Sequence, residues 1–260
     1  MIVRNDNGQT ILIAQTDHSR LVGQFAAHWG NGDFATLRPY EPVARAAAFH
    51  DYGWLRYETA PLFDAATGET PEFRKAPNDA RQLDGYQWCV DWLLADDPYA
   101  GLIVNMHRTG LWRGRYGAIA HPGFGAARGL SPLVEDFIAK NEARQERERA
   151  TVDADEVWTN YRLLQVWDLL GLYFCCQEPY RDYIEPVPTN YGGARSDGVR
   201  LTLDPVAAGT VAFDPYPFDI RPLTIQFVRR HLARGPFGDQ AAFRRAYFQA
   251  RLELAEFELV

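Results

Sequence analysis

Cysteine and lysine are scarce in this 260-residue chain, and no stretch is both long and apolar enough to span a bilayer. The three cysteines, Cys89, Cys175 and Cys176, are odd in number and two are adjacent, so neither a disulfide framework nor a C-x-x-C metal knuckle can be drawn from them. They read as small buried hydrophobes. The most apolar run, Leu163 to Cys176, is broken by Gln165 and Asp168 and is too short for a membrane helix. The opening residues, MIVRNDNGQT, lack the apolar core of a secretory signal, so a cytoplasmic protein is expected. Positive charge is also in deficit: 27 Lys and Arg face 34 Asp and Glu, a formal net charge of −7. That balance argues against gripping phosphate backbones, and neither nucleic acid nor membrane is an expected partner. Only Lys75 and Lys140 are lysines; the remaining 25 basic residues are arginines, whose planar forks suit phosphates and carboxylates.

With 47% hydrophobic and 23% charged residues the chain is expected to fold rather than remain disordered. Residues 2–14 read as a strand pair around Asp6-Asn7-Gly8, and residues 17 to about 184 carry mostly helical periodicity. After Pro186 short strands are expected at 199–204, 210–214, 223–232 and 251–259, reached through a connector at 186–198. The expected fold class is α+β, with a helical body and a smaller antiparallel sheet built from the N- and C-terminal segments. The expected units are 1–185 and 186–260. Helix starts are marked by Thr16 or Asp17, by Pro42, by Asp97-Pro98, by Ser131-Pro132 and by the Asp153/Glu156 capping box.

The chemistry sits on the faces these helices turn inward. Val43, Ala46, Ala47 and His50 fall on one stripe, with Asp51 at its border. His18 shares a stripe with Leu21, Val22 and Phe25. His107 follows Ala100, Ile103 and Val104. Asp168 interrupts the stripe Val157, Tyr161, Leu164, Leu172. Any one of these has a plain structural explanation, since buried polar groups mostly find protein partners. Together they form a mixed nitrogen and oxygen set that suits Mn²⁺, Fe²⁺, Mg²⁺ or Zn²⁺.

The order His18, then His50-Asp51, then Asp168 resembles the H…HD…D signature of the HD-domain metal-dependent phosphohydrolases. The chain most resembles an uncharacterised bacterial family, a domain of unknown function, within or near that superfamily. The resemblance rests on Gln15-Thr16-Asp17-His18, on Phe49 to Trp54 (F-H-D-Y-G-W) and on Asp214 to Phe218 (D-P-x-P-F). It implies an HD-like helical body in which His18, His50, Asp51 and Asp168 bind metal. His28 shares a stripe with Phe25 and Leu21 and competes with His18; the preference for His18 rests on its place at the helix start and the Ser-Arg-Leu-Val after it. Trp54 stands where many two-metal HD enzymes carry lysine.

His107 separates a one-metal from a two-metal site, as second-metal ligand or as general acid. Arg108, Arg113 and Arg115 are candidates to hold an anionic substrate, and the role of His121 stays open. The run Gly123 to Gly129 lacks the spacing and preceding strand of a nucleotide-binding loop. Asn141 and Gln145 continue the stripe of Val134, Phe137 and Ile138 and could support the site residues, but a helix end running into solvent is the preferred reading. Trp54, Tyr57, Trp88, Trp92, Trp112 and Trp158 read as core, and His231 as structural. The leading expectation is hydrolysis of a small phosphorylated substrate, a nucleotide among the candidates, by metal-activated water, with Asp51, His107, Arg108 and Arg113 in the catalytic apparatus. A di-iron oxygenase using His107 and His121, and a non-catalytic binding module with a structural metal, are the alternatives.

Overall fold

The computed structural model describes residues 1–6, 8–114, 129–192 and 197–260. Strands β1 (Ile2–Asp6) and β2 (Gln9–Ile13) pair antiparallel from Ile2 against Ile13 to Asp6 against Gln9. That register leaves a two-residue connection with Gly8 at φ +79°, a conformation glycine adopts without steric cost. The hairpin docks through β2 onto β6 (Leu223–Ala233). Beyond it lie β7 (Arg251–Leu259), β5 (Thr210–Asp214), β4 (Val199–Ala207) and β3 (Asp182–Val187), giving the order β1-β2-β6-β7-β5-β4-β3.

The helices are α1 (Gln15–Ala27), α2 (Tyr40–Phe49), the short α3 (Leu55–Glu58), α4 (Ala80–Asp96), α5 (Pro98–Trp112), α6 (Pro132–Arg149), α7 (Ala154–Cys176) and α8 (Gln240–Gln249). Asp97, Ser131 and Asp153 cap their helices through side-chain oxygens, as their sequence positions predict. The start of α1 differs. It begins at Gln15 with no local side-chain cap, and the Thr16 amide donates instead to Glu58, 42 residues later. α7 is buried around almost its whole circumference from Asn160 to Cys175 and packs against α1, α2 and α5 as well as β1 and β3. β6 alternates, turning Leu223, Ile225, Phe227 and Arg229 inward.

The expectation of a mainly helical HD-like body with a smaller antiparallel sheet is overturned. The sheet has seven strands among the described residues and is mixed: β5 and β7 run parallel, pairing Thr210 with Glu258 and Val211 with Leu259. The reason lies in two elements that local pattern did not show. β3 lies across the end of the helical zone and the start of the connector. After β6 the chain crosses back through α8, which Asp239 caps, so β7 returns between β6 and β5 rather than at an edge. The fold is α+β with the sheet as a main layer.

Three smaller expectations also fail. Asn141 and Gln145 do not run into solvent: both are buried, and the Gln145 amide donates to the Asn105 carbonyl and to Thr109, tying α6 to α5. Trp88 and Trp92 are not core; they stack on each other on the exposed face of α4, 41% and 37% accessible. Trp158 is only partly buried, against the edge of the core.

Candidate metal centre

Four helices deliver five of the proposed site residues to one place. His18 comes from the first turns of α1, His50 and Asp51 from the end of α2, His107 from α5 and Asp168 from the middle of α7. The inward stripes predicted for these helices are buried as expected, with His18 and His107 wholly enclosed and His50, Asp51 and Asp168 at most 6% accessible.

The side chains form two overlapping groups. His18, His50 and Asp168 offer ligand atoms within 4.8 Å of one another, and so do His50, Asp51 and His107. His18 Nε2 lies 2.9 Å from Asp168 Oδ1, and His50 Nε2 lies 3.4 Å from the same oxygen. Asp51 faces both ways: Oδ2 is 3.7 Å from His50 Nε2 and Oδ1 is 3.9 Å from His107 Nε2. The His18 and His50 rings meet edge to face at 5.3 Å, and those of His50 and His107 at 4.8 Å. Two histidines, His18 and His50, are thus among the partners of Asp168.

Neighbouring groups orient these side chains. His50 Nδ1 is 2.8 Å from the Ala47 carbonyl, so Nδ1–H donates there and Nε2 points at the carboxylates. Ser19 Oγ lies 3.2 Å from the same Nδ1 and accepts the Asp51 backbone N–H at 2.9 Å. One hydroxyl therefore positions both members of the His-Asp pair. Gly171, one turn after Asp168, leaves room for the His18 ring: a Cβ there would lie 2.6 Å from His18 Cε1. Gly53 of the F-H-D-Y-G-W segment has a similar reason. A Cβ on Gly85 would sit 2.4 Å from the Gly53 carbonyl oxygen, so the turn at Tyr52–Trp54 and α4 touch backbone to backbone.

Charge is strongly organised here. Burial alone would lower His50, but the charges of Asp51 and Asp168 overcome it and raise its pKa to about 9. Burial would raise Asp168, yet hydrogen bonding and charge from His18 and His50 hold it well below the usual carboxylate range. His107, desolvated and facing the His50 charge, is lowered to about 4. It is neutral at neutral pH, the form in which a histidine can bind a metal.

The remaining proposed residues are placed differently. His28 sits at the end of α1, paired with Asp219 at 2.9 Å in an exposed position, and takes no part in the cluster. Arg113 is engaged by Glu135 and Glu142 of α6 at 3.2 Å each, so its fork is already filled. Arg108 lies against Tyr86 and Trp112, its Cζ 3.6 and 4.4 Å from the ring centroids. His231 pairs with Glu253 across β6 and β7. Arg115, His121 and the glycine-rich run up to Arg128 lie outside the described residues. The D-P-x-P-F segment is a buttress: Phe218 packs on Phe25 and Trp29, and the Pro217 carbonyl accepts the Gly30 amide. Sequence reasoning missed Ser19, Gly171 and Tyr86, whose parts depend on contacts between helices. A separate cleft of about 170 Å³ between α7 and β3, lined by Leu172, Tyr173, Cys176 and Tyr183 among others, contains none of the cluster.

Among the described residues no helix is long and apolar enough to cross a membrane. No curated protein and no solved structure matches the chain. A family model described as a protein of unknown function (DUF3891) matches residues 1–234, and the chain belongs to that family.

Proposed function

We propose that the protein is a metal-dependent hydrolase of a small phosphate ester, with His18, His50, Asp51, Asp168 and His107 holding one or two divalent cations. The observation that carries this reading is the pair of overlapping His/Asp groups sharing His50, with Asp51 directing one carboxylate oxygen toward each side. Imidazole nitrogens and carboxylate oxygens together suit Mn²⁺, Fe²⁺, Mg²⁺ or Zn²⁺. The residues fit such an ion: His50 is anchored through Nδ1, and its buried Nε2 faces Asp168 Oδ1 at 3.4 Å and Asp51 Oδ2 at 3.7 Å. The order His18, His50-Asp51, Asp168 is the ligand order of the HD phosphohydrolases, and phosphate chemistry comes to this chain from that resemblance.

A bound divalent cation supplies an acidified water and neutralises charge on phosphoryl oxygens. Asp51, whose oxygens face both sides of the cluster, would take up the proton that such a water gives up. His107 Nε2 faces Asp51 Oδ1 at 3.9 Å, and in its neutral form His107 would help Asp51 and His50 hold a second ion. Ser19 keeps the Asp51 backbone and the His50 ring in register, so the base and the ligand do not drift apart.

The test is to load the purified chain with Mn²⁺, count metal per chain by elemental analysis and assay a panel of phosphate mono- and diesters. Stoichiometric metal with ester hydrolysis that His50→Ala abolishes is expected. No metal uptake overturns the centre, and metal uptake with no hydrolysis across the panel overturns the phosphoesterase reading. Oxygen consumption by the iron-loaded chain would favour the oxygenase instead.

A further inference from the structure

Beside the His/Asp cluster lies a second group of polar atoms that the site does not use. Trp54 Nε1, the Tyr86 hydroxyl and Arg108 Nε are buried and have no hydrogen-bond partner among the described residues. Trp54 and Tyr86 are 2% and 3% accessible, so solvent does not satisfy them at the surface. Leaving such groups unpaired is costly, which makes three in one cluster notable.

The three belong together. The Trp54 and Tyr86 rings meet edge to face at 6.0 Å, and Arg108 lies over Tyr86 with Cζ 3.6 Å from its centroid. Trp112 closes the far side, 6.2 Å from Tyr86 and 4.4 Å from the guanidinium. They also adjoin the metal ligands: Trp54 is three residues after Asp51, Arg108 directly follows His107, and Tyr86 feels the Asp51 charge. Their placement is rigid, because a Cβ on Gly53 would lie only 2.7 Å from Tyr86 Cδ1 and α4 rests on the Gly53 carbonyl.

Their chemistry has one sign. Indole N–H and guanidinium N–H only donate. The phenol is buried and its pKa is raised well above its ordinary value, so it keeps its proton and can donate too. Three donors, one of them cationic, match a group rich in acceptor oxygens.

We propose that Trp54, Tyr86 and Arg108 form an oxyanion-holding subsite next to the metal centre, taking phosphoryl oxygens that the cations leave free. The subsite rests on the phosphoesterase reading only for the identity of the oxyanion. It makes Tyr86 and Trp54 substrate-binding residues, where their burial alone reads as core.

The experiment titrates inorganic phosphate into the full chain in chelator, followed by calorimetry and by tryptophan fluorescence, which Trp54 and Trp112 report. Tyr86→Phe removes one hydroxyl and keeps the ring under Arg108. Deleting an unpaired buried hydroxyl leaves folding stability unchanged or higher, whereas loss of a hydrogen bond to phosphate weakens binding roughly 10-fold. Phosphate binding that weakens in Tyr86→Phe, with unchanged melting temperature and unchanged manganese uptake, is the expected result. Trp54→Phe serves as the second variant and should weaken phosphate in the same way. Absence of phosphate binding by the wild type at millimolar concentration, or equal affinity in both variants, overturns the subsite. The manganese arm separates the two readings: metal uptake without phosphate binding removes the subsite alone, and phosphate binding without metal uptake removes the metal centre alone.

Discussion

Gly171 and Ser19 offer no ligand atom of their own, yet the geometry of the cluster passes through them. Gly171→Ala places a methyl 2.6 Å from His18 Cε1 and 2.7 Å from Val22 Cγ2, both in fully buried surroundings. Overpacking of this kind costs about 1–3 kcal/mol, and here the ring that must yield is one of the proposed ligands. Manganese affinity measured by calorimetry is expected to fall at least 10-fold, by the scale of losses seen when ligand-orienting groups are disturbed. Affinity equal to wild type would mean that His18 does not bind the ion. Asp168→Asn tests the other end of the same contact. Chelator is expected to lower the melting temperature of the wild type but leave the variant nearly unmoved, since the variant starts without metal. Equal sensitivity in both would count against coordination by Asp168. At this scale the convergence of the histidines and carboxylates was legible, because an ionisable residue inside an apolar helical stripe stands out against its neighbours. Ser19 was not, since its value lies in touching His50 and Asp51 across a helix interface.

Among the elements, the helix starts that were read correctly carried local punctuation, and the start of α1, satisfied by a distant partner, was misread. Asp97, Ser131 and Asp153 cap α5, α6 and α7 with their own side chains, a signal contained within three residues. The N-terminus of α1 is satisfied by Glu58, which no local pattern around Thr16 and Asp17 could indicate. β3 took part in no pattern that marked it, and α8 was missed although Asp239 caps it locally; without them the sheet looked small and wholly antiparallel. The D-P-x-P-F segment was recognisable as a motif, but its purpose was structural: Phe218 closes the C-terminal end of α1, while His18 sits near the opposite end. Phe218→Ala is therefore expected to destabilise the chain by about 3–5 kcal/mol, as loss of a buried aromatic does. Metal stoichiometry at low temperature should stay that of the wild type. Loss of metal with folding intact would place the segment in the site.

For the molecule as a whole, the buried charges link folding, proton binding and metal binding. In the metal-free chain His50 has its pKa raised from 6.5 to about 9, so its protonated form stabilises the fold. That contribution is complete below pH 6.5 and is lost as pH rises to about 9, amounting to at most about 3 kcal/mol at 1.36 kcal/mol per unit. His107 has the opposite sign. Its pKa is lowered to about 4, so its neutral form is the stabilising one, complete above pH 6.5 and lost as pH falls toward 4. Stability of the metal-free chain from this pair is thus greatest near pH 6.5 and declines on both sides. A cation bound at His50 Nε2 displaces that proton, so metal binding releases protons and strengthens with pH. Melting curves recorded in chelator between pH 5 and 9 are expected to show the maximum. With Mn²⁺ at 100 times its dissociation constant, stability rises by about 2.7 kcal/mol, roughly 5–10 °C for a chain of this size. The gain should be largest on the alkaline side, where the metal takes the place of the lost proton between Asp51 and Asp168. A manganese-induced shift that shrinks with rising pH across this window would show that the ion binds away from His50.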